Sequence, residues 1–204
     1  MRASRALPGG RLDAQVDQSI PIRVLSWGLF KFDVILMKRR TPLIVRRATV
    51  ADAPQVASVL NAVIAEGRYT LFDKPFSDAE EKAFIASLGD RAVLHVAVAN
   101  ELIVGVQCVD RFASYADSVS HIAHIGTWLL PNCRGQGIGK RLWAESLAFA
   151  RQCGYRKAFI SVLAHNDQAL RFYRSLGFTD IGVAREHVRL NGTFYDGILL
   201  ERAI

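Results

Sequence analysis

The sequence predicts an α/β fold: one domain with a mixed central sheet flanked by helices. Three observations carry that prediction. From Leu43 onward, strand-like and helix-like stretches follow one another in the order β-α-α-β-β-β-α-β-α-β-β. A glycine-rich turn, Arg134-Gly-Gln-Gly-Ile-Gly-Lys140, joins an apolar run to an amphipathic stretch. Asn191-Gly192, between two β-rich runs, is a strong hairpin signal. Helical crossovers join parallel strands and tight turns join antiparallel ones, so this order implies a sheet of both kinds.

Each element has a local cause. Leu43 to Arg47 is a short β-rich run. Asp52 is placed to cap a helix with Pro54 in its first turn, and Val56, Val59, Leu60 and Val63 form its apolar stripe before Gly67 ends it. Ser77-Asp-Ala-Glu80 is a capping box opening a helix to about Leu88. Ala92 to Ala99 and Leu102 to Val109 read as strands joined at Asn100-Glu101, and Ser120 to Leu130 reads as a strand stopped by Pro131. The helix from about Ile138 to Cys153 carries two apolar rows, Leu142/Ser146/Phe149 and Trp143/Leu147/Ala150. Lys157 to Leu163 is a buried-type strand, Asn166 to Leu176 a helix closed by Gly177, and Asp180 to Leu190 with Thr193 to Glu201 the final hairpin.

Composition narrows the function classes. The chain has 204 residues, half of them hydrophobic, and a formal net charge of +7. That charge is uneven, with eight Lys/Arg against three Asp in residues 1–40 and eighteen Lys/Arg against sixteen Asp/Glu beyond. The basic balance therefore does not argue for nucleic acid. Residues 1–42 read as an N-terminal extension, either loosely ordered or with residues 1–36 lying upstream of a natural start at Met37. Arg23, Lys31 and Asp33 interrupt its apolar part, so stable membrane insertion is not expected. Cys108, Cys133 and Cys153 form neither a metal pattern nor a disulfide framework, which suits reduced thiols, a cytoplasmic location and no metal. Cys133, beside the turn, has no partner histidine in sequence and is not expected to be a nucleophile.

The turn itself reads as a phosphate cradle. Gly135, Gly137 and Gly139 permit a tight backbone path that leaves N–H groups uncovered, a helix N-terminus stands behind them, and Arg134 and Lys140 add positive charge. It is not a Walker loop, because Lys140 is followed by Arg141 rather than Ser or Thr, and its last glycine spacing does not fit a dinucleotide fingerprint.

Arg134-x-x-Gly137-x-Gly139 after a strand, followed by Asn166-x-x-Ala169-x-x-Phe172-Tyr173-x-x-x-Gly177-Phe178, resembles the GNAT superfamily of acetyl-CoA-dependent N-acetyltransferases over about Leu43 to Ile204. The resemblance implies strands splayed at the acetyl-CoA site. It also implies contacts from Leu129, Leu130, Arg134, Gly135, Gln136, Gly137, Ile138, Gly139, Lys140, Asn166 and Tyr173. On the same footing the Thr127 backbone N–H matches the donor that polarises the thioester carbonyl, and Tyr173 the general acid for the leaving thiolate. This sequence departs from relatives that carry Glu on this strand, since Ala123 stands there. His121, on the same face as Thr127 by strand alternation, is the candidate base, and His124 points the other way. Glu66 and Tyr69 fall in the segment that lines the acceptor pocket in similar proteins, and Phe72 and Tyr195 are further candidates there. The implied activity is acetyl transfer to a primary amine by direct attack in a ternary complex. The acceptor is a small amine or amino acid, or a protein N-terminus. The alternative is a catalytically degenerate acyl-CoA sensor. Homodimerisation stays open.

Overall fold

The computed structural model describes residues 42–204, and the expectations for the extension before them lie outside the described residues. Seven strands and four helices follow in chain order: β1 (Ile44–Arg47), α1 (Ala53–Ile64), α2 (Asp78–Ser87), β2 (Val93–Ala99), β3 (Leu102–Arg111), β4 (Ile122–Leu129), α3 (Ile138–Gln152), β5 (Lys157–Leu163), α4 (Asp167–Ser175), β6 (Thr179–Leu190) and β7 (Thr193–Ala203). They form one mixed sheet in the order β1-β2-β3-β4-β5-β7-β6. Every pairing is antiparallel except β4 with β5. The two predicted hairpin turns have both central residues at positive φ, Asn100 and Glu101 in one and Asn191 and Gly192 in the other, which matches the twist of the flanking strands.

Strand alternation sorts the side chains between two helical layers. Val93, Ala123, Ile125, Ala158, Ile160 and Val162 pack with α3 and α4 through Trp143, Phe149, Leu170 and Tyr173. Leu94, Val96 and Val106 pack on the other face with Val56, Val59 and Leu60 of α1 and Ile85 of α2. The capping box of α2 is present, with Glu80 N donating to Ser77 Oγ at 3.2 Å. One cap differs from expectation. The Asp52 carboxylate makes no bond to the first turn of α1, accepting instead from Thr49 N at 2.7 Å and from both Arg46 guanidinium nitrogens at 2.7 Å. A short turn of 3-10 helix at Val50–Asp52 directs it back to β1, and the Arg46 pair holds its pKa far below the usual carboxylate range.

Candidate active site

The site begins where β4 and β5 part. Their parallel pairing covers only Ile122 to His124 against Lys157 to Phe159, after which β5 continues along β7 to Leu163. On its other side β4 stays paired with β3, with Leu129 opposite Gly105 and Thr127 opposite Gln107. Leu130 N donates to Val104 O at 3.0 Å. Antiparallel ladders alternate bonded and non-bonded pairs, so the N–H and C=O of Ile125, Thr127 and Leu129 point away from β3. Those of Thr127 and Leu129 lie beyond the pairing with β5 and face the gap it leaves. A cleft of about 350 Å³ occupies that gap, lined among others by Thr127, Leu129, Gly135, Gly137, Lys140, Asn166 and Tyr173.

The three glycines of the turn serve two purposes. Gly135 and Gly137 sit at φ +74° and +81°, a region that disfavours L side chains, and a Cβ at either would touch nothing. Gly139 is helical, but a Cβ there would come within 2.9 Å of the Phe172 ring. It lets the start of α3 approach α4 closely. Among the described residues, no backbone acceptor pairs with the N–H groups of Gly135 to Gly139. The donors, the helix terminus and Lys140 converge on the cleft, and Arg171 and Gln168 of α4 line it too. Leu130 and Gln136 do not line it. Leu130 is bonded into β3, and Gln136 Nε2 donates to Asn132 O at 2.7 Å, which folds the side chain back on its own loop.

Tyr173 is buried at 3% exposure, and its hydroxyl donates to Thr127 Oγ1 at 2.8 Å. Burial raises the Tyr173 pKa above that of an ordinary phenol, so the group stays protonated. The fully buried Gln107 also donates to Thr127 Oγ1, at 2.7 Å, leaving its own Oε1 without a partner. Gln107 was not legible in the sequence, because it becomes a neighbour of Tyr173 only through the β3–β4 register. Asn166 Oδ1 caps α4 by accepting from Ala169 N at 3.1 Å while its residue lines the cleft. Cys133 packs with Leu142 in the core, and burial raises its thiol pKa.

Arg134 and Glu66 meet each other. The Arg134 guanidinium pairs with both Glu66 carboxylate oxygens, Nη1 to Oε2 at 2.8 Å, and its Nε donates to Leu129 O at 3.2 Å. It also lies 5.3 Å from the centre of the Tyr69 ring. Glu66 is therefore tied to a cation rather than presented to an amine. His121 is exposed in the turn just before β4 and lines neither this cleft nor the neighbouring cavity. Six residues of extended chain, roughly 20 Å, separate it from Thr127. Alternation along the strand assigns it to the face of Thr127. That face meets α3 and α4 at His121's end of the strand, and the cavity opens on the opposite face.

The second cavity, about 540 Å³, lies on that opposite face and meets the first at Tyr69, Thr127, Trp128, Asn166, Ala169 and Tyr173. Its wall is aromatic. Trp128 stacks on Phe72 at 5.4 Å, Phe72 meets Phe76 edge-on at 4.9 Å, and Trp128 Nε1 donates to Thr70 Oγ1 at 3.2 Å. Gly126 makes room for the indole, since a Cβ there would fall 2.3 Å from it. Cys108, Asp110, His124 and Glu81 line the remainder. Crowding by protein lowers the His124 pKa against the opposing influence of Asp110. Among the described residues no group of three or more His, Cys, Asp or Glu side chains could hold a metal ion, and no helix is long and apolar enough to cross a membrane.

Splayed parallel strands, a glycine turn at a helix N-terminus and a tyrosine beside the gap define an acyltransferase of the acyl-CoA-dependent kind. The family model described as the acetyltransferase (GNAT) family matches residues 61–178, and the chain belongs to that family. It is 30% identical over 151 residues to the N-alpha-acetyltransferase RimI of Mycobacterium tuberculosis, covering 74% of this chain and 87% of that protein. Its fold matches a ribosomal-protein-alanine N-acetyltransferase from Brucella melitensis at TM-score 0.75, with 21% identity over 79% of this chain and 99% of the other. It also matches a phosphinothricin acetyltransferase from Sinorhizobium meliloti, solved in complex with acetyl-CoA, at TM-score 0.74, with 21% identity over 79% and 88% of the two chains.

Proposed function

We propose that this protein transfers the acetyl group of acetyl-CoA to a primary amine by direct attack in a ternary complex. The observation that carries the reading is the meeting of the two cavities at Thr127 and Tyr173, beside β4 backbone groups that no strand pairs. Gly135 to Gly139 with Lys140 would hold the pyrophosphate, and Leu129 backbone groups would bond the pantetheine arm as a strand edge bonds a peptide. Thr127 N–H would stabilise the oxyanion as the amine nitrogen bonds to the thioester carbon. When the C–S bond breaks, Tyr173 would give its proton to the departing sulfur.

The amine must lose a proton too. Glu66 is engaged by Arg134 and His121 lies elsewhere, so we assign that step to solvent in the second cavity. His124 is the imidazole facing that solvent, and its lowered pKa keeps it neutral and able to accept. The acceptor binds in the second cavity, where Tyr69 and Phe72 form part of the wall. Its aromatic wall suits a small amine better than a protein N-terminus.

The test is release of free CoA thiol from acetyl-CoA against amino acids, polyamines, aminoglycosides and N-terminal peptides. Turnover with one class is expected. Acetyl-CoA binding without turnover on any amine would overturn the catalytic reading. If no base is positioned, kcat/KM should climb with pH toward the pKa of the acceptor amine itself. A plateau near neutral pH would instead require a side-chain base.

A further inference from the structure

The charged side chains that line the two cavities are opposite in sign. The cleft at the glycine turn is lined by Arg134, Lys140 and Arg171 and by no Asp or Glu. The second cavity is lined by Glu80, Glu81 and Asp110 and by no Lys or Arg. Glu80 is occupied, since its Oε2 accepts from Ser77 N and Ser77 Oγ, both at 2.7 Å. Asp110 is exposed, with Oδ1 accepting from Arg111 N at 2.6 Å.

Glu81 is different. It is 3% exposed, and its Oε2 is buried without a hydrogen-bond partner. It stands one helical turn before Ile85, the residue through which α2 enters the core, so a carboxylate fills a position where the helix pattern calls for an apolar side chain. Its place in the first turn of α2 lets the helix dipole moderate the charge. Even so, a buried carboxylate with an empty oxygen costs stability unless something binds it. Burial raises the pKa of Glu81, and Glu80 adds to the effect. The thiol of Cys108, on the cavity wall, is pushed up to about 12 by burial and by the carboxylates of Asp110 and Glu81. The carboxyl groups of Glu81 and Asp110 thus flank the same stretch of the cavity wall as Cys108.

Asp110 is set back from where the acetyl group would be delivered. Asp110 pairs in register with His124, three residues of extended chain from Thr127, or roughly 10 Å. Trp128, Phe72 and Phe76 line the same cavity, with the indole folded back over Gly126. Resting on the reading that this cavity holds the acceptor, we propose that the acceptor is a small diamine: one nitrogen at Thr127 and Tyr173, an apolar spacer along the aromatic wall, and a second, protonated nitrogen on Glu81 with Asp110 beside it. An α-amino acid would bring a carboxylate into this field and is disfavoured.

The experiment compares three acceptors of equal length, heptamethylenediamine, heptylamine and ω-aminoheptanoate, by release of CoA thiol from the full-length protein. The diamine should exceed heptylamine in kcat/KM by about tenfold or more, as a charge-assisted hydrogen bond supplies, with the aminoacid last. In Glu81→Gln the diamine-to-heptylamine ratio should fall to within about threefold, and in Asp110→Asn it should fall less. Calorimetric titration of heptamethylenediamine reads the same site without turnover. Binding that weakens in Glu81→Gln supports the diamine site even if no acceptor is acetylated, in which case only the transfer reading falls. A ratio near one in the wild type, or a ratio or affinity that Glu81→Gln leaves unaltered, overturns the proposal. Retained thermal unfolding in both variants establishes that the comparison is between folded proteins.

Discussion

At the scale of single residues, one oxygen orders the proposed reaction centre. Thr127 Oγ1 accepts from both Tyr173 and Gln107, so the phenol is held at the splay with its proton aimed at a neighbour 2.8 Å away. A protonated, positioned phenol is what a leaving thiolate requires, and general-acid catalysis of this kind contributes about 10²–10⁴-fold. Tyr173→Phe should therefore lower kcat by about 10²-fold while leaving the calorimetric affinity for acetyl-CoA within about twofold. An unaltered kcat would mean that solvent protonates the sulfur. Glu81 gives a prediction of opposite sign. Replacing its buried, unpartnered carboxylate by the neutral amide of Gln should raise the thermal midpoint by a few degrees, roughly 1 kcal/mol, and a lowered midpoint would show that the carboxylate has a structural partner. The placement of Tyr173 and Thr127 beside the cleft was legible in the sequence because they sit at fixed distances from a local motif. Gln107 and Glu81 were not, because their roles arise from register and from helix packing, which no spacing along the chain encodes.

At the scale of elements, the local patterns carried furthest. All eleven helices and strands lie where periodicity and turn residues put them, to within two residues at nearly every end, because hydrophobic alternation and capping are properties of short stretches. What a short stretch does not specify is which side of a strand becomes a cavity. His121 was assigned by alternation to a face that packs against α3 and α4, and Glu66 was read as an acceptor group although Arg134, from the far side of the site, reaches it. That ion pair joins the glycine turn to the end of α1 and holds Arg134 on Leu129 O, a carbonyl the pantetheine arm would use. Glu66→Gln should loosen Arg134 and tighten acetyl-CoA several-fold. Weaker binding would show instead that the pair is needed to shape the turn. Gly137→Val should abolish acetyl-CoA binding by calorimetry, because its φ of +81° is strained for valine and its side chain would cover the donors at the start of α3. Unchanged affinity would remove the cradle assignment.

At the scale of the whole molecule, stability depends on a histidine far from the chemistry. His95 of β2 is 5% exposed and lies against α3, with Nδ1 3.0 Å from Ser146 Oγ and its ring edge-on to Phe149. It ties the sheet to the helix that begins at the glycine turn. Burial, reinforced by the nearby Arg47 cation, lowers its pKa from 6.5 to about 4. The unfolded chain therefore binds this proton more tightly than the folded one. The associated stability is complete above the unfolded pKa and is lost progressively as the pH falls from 6.5 toward about 4. At 1.36 kcal/mol per unit, lowering the pH from about 7 to about 5 should remove about 2 kcal/mol through this group. The lowered pKa of His124 acts in the same sense. Asp52, whose folded pKa is depressed by Arg46, keeps its contribution until the pH falls into the ordinary carboxylate range and loses it progressively from there, below the interval from about 7 to about 5. The raised pKa of Glu81 opposes the trend, since protonation there favours the folded state. Urea unfolding at the two pH values checks the account. The wild type should lose stability on acidification, and His95→Gln should lose about 2 kcal/mol less over the same interval. Equal losses in the two proteins would show that the β2–α3 contact does not govern acid sensitivity.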